Sequence, residues 1–127
     1  MILTRRWALA GAAVATALPA AAQAWPTRSI RFVVPWPPGG LNDLIARYFN
    51  DRVSAALGQP IVNDFKAGAG ARIGVTEIVR ARPDGYVIGM GNLAPLTIYP
   101  NTDPDLAYDP ARDLVPIMMS CASPLVL

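Results

Sequence analysis

The chain is predicted to be an α/β domain. Short runs rich in β-branched and aromatic residues alternate with stretches of helical periodicity, and a glycine-bearing loop follows each of the first three runs. Strands separated by helices call for right-handed βαβ units and a mainly parallel sheet with helices on its faces. Ligands then sit at the carboxyl ends of the strands.

The first 24 residues stand apart from that pattern. Arg5 and Arg6 precede an uncharged run over residues 7–22, and Ala22-Gln23-Ala24 has the small-x-small form of a signal-peptidase site. An export signal is expected, with the mature chain starting at Trp25. The order Thr4-Arg5-Arg6-Trp7 fits a twin-arginine signal loosely, so the general secretory and twin-arginine routes both stay open. The run is alanine-rich, short and interrupted by Pro19, unlike the roughly 20 strongly apolar residues that span a bilayer. Without Arg5 and Arg6 the formal charge of +2 falls to zero, so no polyanion-binding surface is implied and nucleic acid is not an expected partner.

Ile30-Arg31-Phe32-Val33-Val34 is the first predicted strand, ended by Pro35, which has no N–H to donate. Trp36-Pro37-Pro38-Gly39-Gly40 leads from it into a helix. Leu41, Leu44, Ile45, Tyr48, Phe49, Val53 and Leu57 recur at three- and four-residue steps and are expected to face the core. Asn42 or Asp43 is expected to cap that helix, and Gly58 with Pro60 to end it. A glycine pair between strand and helix brings backbone N–H groups to the positive end of the helix dipole, which suits a carboxylate or phosphate. An ordinary tight turn without a ligand explains the pair equally well.

A second strand is expected over residues 60–64, followed by Gly68-Ala69-Gly70-Ala71-Arg72 and a helix carrying Ile73, Ile78 and Val79 inward. This glycine loop is not a dinucleotide fingerprint, because the position that needs the third glycine is Ile73, and it lacks the Gly-Lys-Ser/Thr of a phosphate-binding loop. Pro83-Asp84-Gly85-Tyr86 makes a turn into a third strand over residues 86–90, which leads to Gly91-Asn92-Leu93. Residues 99–113, rich in proline and aspartate, read as an irregular connection, and 115–121 as a fourth strand.

Catalytic and metal chemistry find little support. The chain has no histidine and a single cysteine, Cys121, so it holds neither a Ser/His/Asp or Cys/His pair nor a zinc set, and no cofactor is expected. Cys121 is expected to be a small core residue.

Taken in order, Trp25-Pro26, the 28–40 stretch ending Pro35-Trp36-Pro37-Pro38-Gly39-Gly40, Leu57-Gly58-Gln59-Pro60, Gly68-Ala69-Gly70, Pro83-Asp84-Gly85-Tyr86, Tyr108-Asp109-Pro110 and Arg112-Asp113-Leu114-Val115-Pro116-Ile117 resemble the N-terminal part of substrate-binding proteins of the tripartite tricarboxylate transporter family, also called the Bug family. The resemblance implies a type II periplasmic binding protein-like fold. Two α/β domains would close on a small organic carboxylate and deliver it to a membrane permease, without catalysis. It further implies that residues 25–127 are an incomplete first domain, located in the periplasm.

The same resemblance places ligand contacts on Trp36, Pro38, Gly39, Gly40 and Asp43, on Gly68 and Gly70, and on Gly91, Asn92 and Leu93. The glycines would donate backbone N–H groups, Trp36 would form an aromatic wall, and Asp43 would brace its loop. Leu41 and Asn42 stand where the family has small or hydroxylated residues, and Ala71-Arg72 replaces a common Gly-Asn. Arg72 either offers a fixed cation to the ligand carboxylate or is a solvated arginine at a helix start. A truncated chain without function, and an exported α/β enzyme domain with catalytic residues beyond Leu127, are the alternatives.

Overall fold

The computed structural model describes residues 25–122, so the expected export signal lies outside the described residues. Three parallel strands, β1 (Ile30–Val34), β2 (Ile61–Phe65) and β3 (Val87–Gly89), form a sheet in the order β2-β1-β3, with Ile30 opposite Ile61 and Arg31 opposite Val87. Pairing begins just outside the strands. The Pro60 carbonyl accepts from Ile30 N–H at 3.0 Å and the Tyr86 carbonyl from Arg31 N–H at 2.9 Å. Proline contributes only its carbonyl to such a ladder, which is why β2 starts at Ile61.

Helix α1 (Leu41–Leu57) packs on one face of the sheet and α2 (Arg72–Arg80) on the other. Alternation of side chains along the strands separates the two environments. On the α1 side, Asn50 Nδ2 donates to Asn63 Oδ1 at 2.5 Å. On the α2 side, Arg31 pairs with Glu77 and with Asp64, the latter at 2.9 Å, and Lys66 lies 3.6 Å from Asp64. The central strand is the largest single contributor to the core: Ile30, Val33 and Val34 are buried, joined by Ala46 and Val75. Each such branched side chain contributes about 1.5 to 3 kcal/mol when fully buried. Where α2 begins, Gly74 lies so close to Pro35 that an added Cβ would stand 2.7 Å from the proline Cβ. That contact requires glycine.

Several expectations are corrected. The α1 face turned to the sheet carries Asp43, Ala46 and Asn50, whereas Leu41, Leu44, Tyr48 and Val53 are exposed. Periodicity identified a face but not the one that packs, because two polar residues on the buried face find partners: Asn63 on β2 for Asn50, and Arg47 on α1 with the loop Gly39 N–H for Asp43. Residues 99–113 are not wholly irregular. A helical segment with π-type bonding, Ala94–Ile98, continues into α3 (Tyr99–Thr102), and α4 (Pro110–Asp113) follows with Asp109 as its cap. The wider turn, in which Tyr99 N–H reaches the Ala94 carbonyl, accommodates Pro100, whose ring would otherwise press on the carbonyl four residues back. Residues 115–121 form no strand. Val115, Ile117, Met118 and Met119 are exposed, as is Cys121, because no described strand pairs with this segment. Apolar β-branched composition creates a strand only where an edge receives it.

Candidate functional site

All three glycine-bearing loops leave the carboxyl edge of the sheet. Lys66 N–H donates to the Val34 carbonyl at 2.9 Å and Met90 N–H to the Val33 carbonyl at 3.1 Å, which draws the second and third loops alongside the end of β1. Trp36, Pro38, Gly39 and Gly40 thus belong to the central loop, Gly68, Gly70 and Arg72 to one neighbour, and Gly91, Asn92 and Leu93 to the other.

In the central loop Pro35 is buried, Trp36 half-buried, and residues 37–40 are exposed. Neither Asn42 nor Asp43 is the helix cap; Gly40 occupies that position, with no side-chain cap bond. Asp43 sits within the first turn and reaches back, one carboxylate oxygen accepting from Gly39 N–H at 2.8 Å and the other from Arg47 Nε at 2.6 Å. These two donors, Arg47 first, hold the buried Asp43 carboxyl below its ordinary range. Gly39 N–H is therefore engaged inside the protein, while Asp43 has the geometry of a brace.

The middle loop is strained. Gly68, Ala69, Gly70 and Ala71 all have positive φ, at 134°, 46°, 64° and 74°. Such a conformation costs an alanine on the order of 1 to 2 kcal/mol. Glycine is needed at position 70 because the Tyr99 hydroxyl occupies the place where a Cβ would project. Ala71, buried, donates its N–H to the Gly68 carbonyl at 2.9 Å. Arg72 is not a free cation: its guanidinium lies 3.9 Å over the Tyr99 ring and pairs with Asp103 at 2.9 Å.

In the third loop Gly91, Asn92 and Leu93 are exposed, and the Asn92 carbonyl accepts from Leu96 N–H at 3.2 Å as the helical segment begins. Downstream, the buried Tyr108 hydroxyl donates to the Pro95 carbonyl at 2.9 Å, and burial raises the Tyr108 pKa. Sequence reasoning missed Tyr99, Asp103 and Tyr108. Tyr99 and Asp103 stand four residues apart, a helical spacing that the surrounding prolines obscured.

Among the described residues no group of three or more His, Cys, Asp or Glu is placed to hold a metal ion, and no helix is long and apolar enough to cross a membrane. A shallow depression lined by Arg28, Arg31, Arg82 and Tyr86 lies at the amino ends of the strands, away from the loops. Its arginines 28 and 31 are paired with Asp84 and with Asp64 and Glu77.

The model of the tripartite tricarboxylate transporter family receptor matches residues 45–127. The chain is 38% identical over 131 residues to protein BugT of Bordetella pertussis, covering 100% of this chain and 40% of that protein. It is 39% identical over 127 residues to a protein of Pseudomonas sp. strain P51, covering 97% of this chain and 38% of that one. The chain thus spans about two fifths of the length of these relatives. Among solved structures, a periplasmic transporter superposes with a TM-score of 0.66 at 45% identity, covering 68% of this chain and 29% of that one. MatC of Rhodopseudomonas palustris with bound malate gives 0.66 at 35% identity, covering 69% and 30%. A further R. palustris protein with adipate gives 0.61 at 32% identity, covering 68% and 29%.

Proposed function

The chain belongs to the tripartite tricarboxylate transporter receptor family, and on that premise we propose that it is a periplasmic solute-binding receptor that holds a small organic carboxylate and presents it to a membrane permease. The observation that carries this reading is the convergence of three glycine-bearing loops at the carboxyl edge of a parallel sheet. Malate and adipate in the related structures supply the ligand chemistry. Residues 1–24 would be the export signal and residues 25–127 part of the first of two domains.

In this reading Gly40, Gly68, Gly70 and Gly91 turn backbone N–H groups toward the carboxylate, Trp36 and Pro38 wall it, and Asn92 adds an amide. Asp43 acts from behind by holding Gly39. The exposed Leu41 and Leu93 bring apolar surface to the first and third loops, which favours a carboxylate with an aliphatic or aromatic body. Calorimetric titration of the envelope-recovered protein with malate, adipate and benzoate tests the proposal. Saturable binding of at least one, without turnover, is expected. Absence of binding to any carboxylate, or conversion of the ligand, overturns it. The intact mass of the same material tests signal removal at Trp25.

A further inference from the structure

We propose that Arg72, Tyr99 and Asp103 form a clamp that holds the middle loop in its binding shape, so that Arg72 is a positioning residue and not the cation that meets the ligand. The inference rests on the reading of the Gly68–Gly70 loop as part of the carboxylate site.

Four consecutive residues with positive φ, two of them alanines, do not hold themselves in place. Within the loop Ala71 N–H donates to the Gly68 carbonyl at 2.9 Å and Arg72 N–H to the Ala69 carbonyl, while the Ile73 side chain lies against Gly68. A further grip comes from the helical segment after β3. The Tyr99 hydroxyl fills the space over Gly70, and the Tyr99 ring carries the Arg72 guanidinium at 3.9 Å. Asp103 anchors the outer side of that guanidinium at 2.9 Å, and its own backbone N–H is tied to the Tyr99 carbonyl at 2.9 Å. A weaker contact of 3.5 Å returns from Arg72 to the Ala69 carbonyl. Ring, cation and carboxylate therefore stack in sequence against the strained backbone. The helical segment is itself secured by the Tyr108 hydroxyl on the Pro95 carbonyl.

Two consequences distinguish a clamp from a ligand cation. The guanidinium is already stacked on one side and ion-paired on another, which leaves it poorly disposed for a bidentate approach by a second carboxylate. The second and third loops also become one mechanical unit, since the segment that begins at Leu93 ends on the loop that begins at Lys66.

The test compares Asp103→Asn with Arg72→Gln in the full chain. Affinity for malate and adipate is measured by calorimetry, and amide hydrogen exchange at residues 69–71 by NMR or mass spectrometry. If Arg72 were the ligand cation, Asp103→Asn would release it and tighten binding of the anion. The clamp requires the opposite: both variants weaken binding by about tenfold, the double variant is little worse than either single one, and exchange at Ala71 accelerates in each. Tighter binding in Asp103→Asn, or unchanged exchange in both variants, overturns the clamp. Should Arg72→Gln fail to fold, Asp103→Asn and Tyr99→Leu carry the same two readouts. Faster exchange in the variants of a wild type that binds no carboxylate would retain the clamp and remove the proposed function.

Discussion

The central and middle glycine loops solve the same problem by different means. The central loop is braced by its own helix: Asp43, inside the first turn of α1, reaches back to Gly39 N–H, and Arg47 one turn later supports Asp43. Its left-handed residue is a glycine, at φ 88°. The middle loop places two alanines in the left-handed region and relies on Tyr99 and Asp103, far downstream, to keep them there. A locally braced loop forms with its helix, whereas a remotely braced one forms only when the sheet and the segment after β3 have assembled.

Substitutions break or sharpen this contrast. The largest effect is expected from Gly70→Ala, which drives a Cβ into the Tyr99 hydroxyl and leaves α1 untouched. A loss of about 2 kcal/mol, typical of a forced overpacking, should appear as a lower denaturant midpoint. A midpoint within error of wild type would mean that Tyr99 does not press on the loop.

Asp43→Asn comes next and reports on the central loop alone. Folding lowers the Asp43 pKa from its ordinary 3.8, the Arg47 bond being the larger cause and the Gly39 N–H the second. Its contribution is therefore present above the unfolded pKa and lost as pH falls through the folded one. Asp113, lowered to about 2 by Arg112 and then by the Asp109 N–H, has the same sign and remains in both proteins. The difference between wild type and Asp43→Asn should thus be constant near neutral pH and shrink below pH 3.8. Thermal melts across pH 2 to 7 check it, and a difference that grows in acid would contradict the brace.

Ala69→Gly should have the smallest effect and the opposite direction. Relief of a left-handed alanine is partly offset by the greater entropy of glycine in the unfolded chain, leaving a gain of about 0.5 kcal/mol. Ligand affinity is expected to fall slightly at the same time, because a freer loop must be ordered on binding. Destabilisation would show that the alanine is not strained.

Much of this architecture was legible along the chain. The three strands, the parallel arrangement and the position of every glycine loop follow from β-branched runs, prolines that end them and the helical spacing between them. Gly58, at φ 65°, ends α1 as the pairing of Gly58 with Pro60 implied. Errors gathered where a partner had to be chosen. The exposed Leu41, Leu44 and Tyr48 looked like core because apolar periodicity does not say which neighbour covers a face, and the polar Asn50, outside that apolar set, is buried because its partner, Asn63, lies on another element. Residues 115–121 looked like a strand because composition cannot supply the edge to which a strand must bond.

The sequence by itself therefore determined the order of the three strands and of the two helices between them, which depends on neighbours within a few residues. Only the tertiary structure decided which face of α1 meets the sheet, and that Arg72 is held by Tyr99 and Asp103. Those outcomes rest on contacts between remote segments, whose energies exist only once the chain has brought them together.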